Sequence, residues 1–151
     1  MNLGNQPLGE VRVINAIYQL GNIRVINATP HPIRFKMPDG SVEVVESDPE
    51  VVKIFDAKAV EKGWQVSKLG DTPTISFVKK RFEGTAQGKD IAAQLALSTR
   101  ENLILVLGSI VSAQVYGYPV VSPVPVPGTE RAVPSDKIYL SNKFNLFDLT
   151  K

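Results

Sequence analysis

The chain has 151 residues and a mass of 16.5 kDa, one domain's worth, and its 43% hydrophobic and 21% charged residues exclude a disordered chain. Lys plus Arg is 17 against 15 for Asp plus Glu; that net +2 leaves no field strong enough to hold a nucleic-acid polymer through phosphate contacts alone, so no such partner is expected. With no Cys and one His, His31, disulfides, thiolate catalysis and two-imidazole metal sites are excluded.

No basic residue precedes the first apolar positions of Met1 to Gly9, and no apolar run nears ~18 residues. Neither a signal peptide nor a membrane helix is expected, so the expected compartment is the cytoplasm. Val-Arg-Val-Ile-Asn-Ala (11–16) returns as Ile-Arg-Val-Ile-Asn-Ala (23–28), with Gly21-Asn22 between the copies. The β-branched content and the two-residue turn predict a hairpin, or a duplicated start of the domain. Residues 1–22 are thus an N-terminal extension or extra hairpin strand, ahead of one domain over 23–151.

Pro30 and Pro32 break the strand around His31, and Ile33 to Met37 resumes it. Pro38 to Ser41 is a turn, and Val42 to Glu46 the next strand. Ser47-Asp48-Pro49-Glu50 can cap a short helix; the stretch 51–63 is ambiguous, Val52 to Phe55 suiting a strand and Ala57 to Lys62 a helix turn. Trp64 to Leu69 and Thr74 to Phe82 are expected to pair as strands. Gly84-Thr85 opens a helix running to about Thr99, with Ile91 and Leu95 on its packing face. Leu103 to Leu107 reads as a buried strand, and Ile110 to Tyr116 as a helix capped by Ser109. Gly117 to Pro134, with five of the eleven prolines, is expected as a loop or extended edge. Ile138 to Leu140 and Phe144 to Phe147 close the chain with apolar residues in need of cover. Strands come first and helices later, without regular βαβ alternation. That order predicts an α+β fold: a mainly antiparallel β-sheet with two helices in the C-terminal half.

Candidate chemistry is sparse. Gly84 to Lys89 sits between strand and helix like a phosphate loop. It lacks the fourth intervening residue and the Ser or Thr after Lys that a Walker motif needs. Exposed N–H groups there, with Thr85 and Lys89, can still hold a phosphate, although an ordinary capped helix start explains the same residues. Gly108-Ser109 repeats the arrangement. Lys79-Lys80-Arg81 suits a solvated strand edge or a small anionic partner. Arg131, after the Pro127-Gly128 turn, presents a planar fork suited to phosphate, unless Glu130 or Asp136 pairs with it. His31 between two prolines is a poor proton shuttle. No Gly-x-Ser-x-Gly elbow exists, and Asp48 and Glu50 lie in a polar loop, so hydrolase readings fail.

Several segments in order resemble a known family: Ile-Asn-Ala-Thr-Pro-His-Pro-Ile (26–33), Lys-Arg-Phe-Glu-Gly-Thr (80–85), Gly-Ser-Ile-Val-Ser-Ala-Gln-Val-Tyr (108–116) and Pro-Val-Pro-Gly-Thr-Glu-Arg (125–131), followed by Asp136 to Phe147. Together they are similar to the first-described phage anti-Thoeris sponges. The resemblance covers about 23–147. It implies a non-enzymatic protein, made in the cytoplasm of an infected bacterial host, that sequesters a cyclic ADP-ribose isomer and blocks the defence effector. It also implies a homo-oligomer, dimer or hexamer, with pockets between protomers, and for some members a second site for cyclic oligonucleotides. No cofactor is implied. On that expectation Arg131, seconded by Lys79 or Arg81, holds the pyrophosphate, and Phe82 or Tyr116 stacks on the base. Gln114 and Ser109 read polar edges, while Thr85 and Gly84 form the second, phosphate-binding site. A phage structural or assembly protein is the competing class; an enzyme acting on nucleotides is a third, which the missing metal and base motifs disfavour.

Overall fold

The computed structural model describes residues 13–67, 75–97, 103–133 and 136–147. In chain order the elements are β1 (Tyr18–Leu20), β2 (Ile23–Asn27), β3 (Ile33–Lys36), β4 (Val42–Val45), α1 (Pro49–Ile54), β5 (Ala57–Ser67), β6 (Ile75–Gly84), α2 (Ala86–Ala96), β7 (Ile104–Leu107), α3 (Ile110–Tyr116), β8 (Val120–Pro125) and β9 (Ile138–Asn145). A helical turn at 13–15 precedes β1. Seven strands form one sheet in the order β1-β2-β7-β8-β9-β3-β4, and β5 pairs with β6 as a separate ribbon.

The fold is α+β, with two corrections. Helices are not confined to the C-terminal half, because α1 forms where Asp48 accepts a hydrogen bond from the Glu50 N–H and Pro49 occupies the first turn. The strand pairing is mostly antiparallel, as expected, but mixed: β2 with β7, β7 with β8 and β3 with β9 run parallel. The second parallel pair is a βαβ unit, since α3 returns the chain between β7 and β8.

Both faces of the sheet centre are buried, which is why Ile-Leu-Val-Leu of β7 is uniformly apolar. Ile104 and Val106 join Ile26 and Val120 beneath the helices, against Val51, Ile54, Ile91, Ala92, Ala113 and Tyr116. Leu105 and Leu107 point the other way with Val25 and Val121, and meet Ile33, Phe35 and Val45 of β3 and β4. The sheet therefore folds over on itself, and β7 is the strand shared by both cores. Burial raises the pKa of Tyr139, whose ring lies 6.4 Å from that of Phe35.

The repeated hexapeptide does not repeat its structure. Val-Ile-Asn is helical at 13–15 and strand at 25–27. In the second copy a ladder to β7 on one side and β1 on the other supplies partners that decide the conformation. The Gly21-Asn22 turn does close a hairpin, between β1 and β2, with Gly21 at φ 58°.

The expected loop at 117–134 contains β8, an interior strand whose Val120 and Val121 are buried. Its prolines are tolerated because β8 pairs with β7 only at Val120 and Val121; Pro123 and Pro125 come later, beside β9. The stretch 51–63 resolves the other way round from its local pattern: Val52 to Ile54 are helical in α1, continued from the Asp48 cap, and Ala57 to Lys62 are strand in β5, held by the ladder to β6. Of the apolar residues at 144–147, two find cover within the chain and Leu146 stays 58% exposed. Phe144 packs 6.2 Å from Phe35, and Phe147 packs against the helix-side core. No described helix is long and apolar enough to cross a membrane.

Candidate functional site

Three segments converge beside the ribbon base. Tyr116, at the last turn of α3, is buried; its hydroxyl accepts from the Thr85 N–H at 2.8 Å and donates to the Asp56 carbonyl at 2.6 Å. Thr85 caps α2: its Oγ1 accepts from the Gly88 N–H at 2.8 Å and donates to the Ile54 carbonyl at 2.5 Å. A Cβ on Gly84 would lie 2.5 Å from Tyr116 Cζ, and one on Gly88 would strike the Ile54 carbonyl oxygen. Both glycines are there for close packing. The Tyr116 hydroxyl takes the Thr85 N–H that a phosphate would have used. Gly84 and Thr85 are thus occupied by the fold, and Tyr116, its ring edge-on to Phe55 at 5.7 Å, offers no face for stacking.

Above this knot lies an open groove of about 660 Å³, lined by Arg81, Phe82 and Glu83 of β6, Lys89 of α2, and Val111, Gln114 and Val115 of α3. Of the residues expected to bind ligand, it brings together Arg81, Phe82 and Gln114. Phe82 is 50% exposed, so its ring is open to stacking. Arg81 is not idle: Nε and Nη2 both donate to Glu83 Oε2, at 3.2 and 3.0 Å. Two cations, an exposed ring and an exposed amide over a valine floor suit a small anionic molecule with an aromatic part.

The other expected residues lie elsewhere. Ser109 caps α3, accepting from the Ser112 N–H at 3.1 Å, and does not line the groove. Lys79 is exposed further along the ribbon. Arg131 stands exposed in the turn after β8, outside the groove lining. Its neighbour Glu130 accepts from the Gly128 N–H at 2.8 Å, closing the turn itself. The lining residues Glu83, Val111 and Val115 carry no sequence signature of binding. Lys89 does, through its place in the phosphate-loop-like segment.

The Asn-x-Thr-Pro-His segment is architectural. Buried Asn27 donates through Nδ2 to the His31 and Val45 carbonyls at 2.9 and 3.0 Å. Its Oδ1 accepts from the N–H and hydroxyl of Thr29 at 2.9 and 2.6 Å. The His31 residue itself is exposed. Among the described residues no group of three or more His, Asp or Glu is placed to hold a metal.

The fold and groove thus define a small α+β domain with an open, cationic, ring-bearing cleft. No protein-family model, curated protein or solved structure matches the chain.

Proposed function

We propose that the chain is a non-enzymatic binding protein that sequesters a cyclic ADP-ribose-type signal in the groove between β6, α2 and α3. On this reading it acts in the cytoplasm of an infected bacterial host and deprives the Thoeris effector of its activator. The observation that carries the proposal is the convergence of Arg81, Phe82, Gln114 and Lys89 on one groove of nucleotide size. Arg81 and Lys89 meet the pyrophosphate, Phe82 stacks on adenine, and Gln114 reads a polar edge. An open groove leaves one side of such a ligand wet, so the reading includes a homo-oligomer, dimer or hexamer, in which a second copy adds cover. A second site for cyclic oligonucleotides at Thr85 and Gly84 is no part of the proposal, because both are committed to Tyr116 and Ile54.

The apolar exposure of Phe77, Val78 and Phe82 on the ribbon favours a second reading, a phage structural or assembly protein that packs through this ribbon without a small ligand. Two measurements separate them. Mass spectrometry of molecules released by heating the purified protein should recover an intact cyclic nucleotide. Calorimetric titration with cyclic ADP-ribose isomers should then show binding to the wild type. Absence of binding to every isomer overturns the sponge reading, and so does conversion to linear ADP-ribose at enzyme-like rates, above ~1 per second.

A further inference from the structure

A second cleft, of about 440 Å³, opens at one end of the fold, where the β1–β2 turn and the turn between β3 and β4 come together beside β9. Buried Leu20 and Leu105 form its base, with half-buried Ile23 and Phe144 above them. Met37 and Pro38 make one wall; Met37 Cε lies 3.3 Å from where a Cβ on Gly21 would be, so the β1–β2 turn closes directly on that wall. Ile23, Met37 and Phe144 pack on the core around Phe35 and are left partly uncovered where the folded-over sheet ends.

The polar side chains at this cleft are Asn22, Ser141 and Asn142, and among the described residues no hydrogen bond engages any of the three. A bulge in β9 brings the last two there. Pro123 faces Phe144 and Pro125 faces Tyr139, so Val124 alone stands against Leu140 to Lys143. On the other side, β3 ends with Lys36 opposite Leu140. Ser141 to Lys143 thus face no residue in either ladder. Prolines on β8 have no N–H to hold β9 flat, and bulges in such places re-aim side chains.

We infer that this cleft binds a small uncharged molecule, mostly apolar, with one hydrogen-bonding end. Its volume lies within the range of small-molecule sites, and the mouth of a curled sheet is a usual place for one. Charge decides the class. No Asp, Glu, Lys or Arg lines the cleft, whereas Arg81, Glu83 and Lys89 line the groove proposed for the nucleotide. A phosphate or carboxylate entering here would lose water and meet no cation, while an apolar body gains by leaving water. Two amides and a hydroxyl offer donors and acceptors to the end that stays wet. The two clefts share no residue, so this inference stands whether or not the proposed function does.

The test is fluorescence titration of the full chain with N-phenyl-1-naphthylamine, a neutral dye with one N–H that brightens on leaving water. Anilinonaphthalene sulfonate, the same skeleton with a charge, is the second probe. The neutral dye should bind with a Kd on the order of 1–100 µM, and the sulfonate at least about tenfold more weakly. Ser141→Phe fills the cleft from its rim and should abolish the signal without lowering the melting temperature. Asn22→Ala/Asn142→Ala changes two exposed side chains, should keep the fold, and should weaken the neutral dye roughly two- to tenfold; it decides the matter should Ser141→Phe fail to fold. Phe77→Ser/Val78→Ser and added cyclic ADP-ribose should leave the dye bound. No brightening by the neutral dye overturns the inference, as does tighter binding of the sulfonate or wild-type binding in the folded rim variants. Loss of signal in Phe77→Ser/Val78→Ser would put the dye on the ribbon, and displacement by cyclic ADP-ribose would put it in the other groove; either overturns the inference. A signal per chain that falls as protein concentration rises would show a second copy occupying the cleft, and overturns it too.

Discussion

Two neighbouring stretches, Gly84 to Gly88 and Phe77 to Glu83, exchange the roles their compositions advertise. The first has the glycines, hydroxyl and helix start of an anion cradle, yet its Thr85 and glycine groups are consumed inside the fold: Tyr116 takes the Thr85 N–H, Ile54 takes its hydroxyl, and Tyr116 and Ile54 lie where a side chain on Gly84 or Gly88 would go. The second has the look of a solvated strand edge, yet it contributes Arg81, Phe82 and Glu83 to the groove and leaves Phe77 and Val78 exposed. What separates them is whether donors are already satisfied, and that depends on residues about thirty positions away. Composition says what a group can do; its existing partners say whether it is free to do it.

The comparison breaks most sharply at Tyr116. If its ring served a ligand, Tyr116→Phe would keep the ring and change stability little. As the pin of the knot, it should lose about 1–3 kcal/mol, because the Thr85 N–H and the Asp56 carbonyl are left without their partner. Tyr116→Ala adds a cavity against Phe55 and should cost roughly 3–5 kcal/mol in chemical denaturation. Melting of Tyr116→Phe at the wild-type temperature would return Tyr116 to the list of ligand residues.

Asn27 carries the next effect. Each of its polar atoms is matched, so Asn27→Ala strands the Val45 carbonyl in the core and frees the Thr29 turn, at about 2–3 kcal/mol. An unchanged denaturation midpoint would remove that architectural role. The same residue marks what a sequence discloses. The Asp48, Thr85 and Ser109 caps were legible because a cap is a local bond over two or three residues. The buried β7 was legible from its unbroken apolar run. The parallel pairings, the interior place of β8, and the opposite fates of Val-Ile-Asn at 13–15 and 25–27 were not, since each depends on strands distant in the chain. Three of the seven groove-lining residues, Arg81, Phe82 and Gln114, were legible as binding residue types. Their meeting with Lys89, Val111 and Val115 was not, because no local pattern encodes the approach of β6 to α3.

Ligand binding tests the groove against the other exposed turn. Arg81→Ala should weaken the cyclic nucleotide roughly ten- to a hundredfold, about 1.5–3 kcal/mol for a charge-assisted hydrogen bond. Arg131→Ala, outside the lining, should leave affinity within calorimetric error. The reverse pattern would move the ligand to the turn after β8, and equal loss in both variants would mean that the two lie in one site only after assembly. Thermal melts of both should match the wild type, since each side chain is exposed.

The smallest effect has an unusual sign. Glu83 holds the Arg81 fork through two hydrogen bonds to one carboxylate oxygen, and a phosphate must displace it or share the guanidinium with it. The pair is well exposed, with side chains 65% and 36% accessible, so its worth lies in the range of surface ion pairs, up to about 1 kcal/mol. Glu83→Gln removes the competing charge while leaving an amide of similar size. It should therefore tighten an anionic ligand, by up to about fivefold at low salt. The gain should shrink as salt screens both the carboxylate and the phosphate. Weaker binding in Glu83→Gln would show that the carboxylate positions Arg81 for the ligand instead of competing with it, and the same titration repeated at high salt would separate the two: positioning survives screening better than repulsion does.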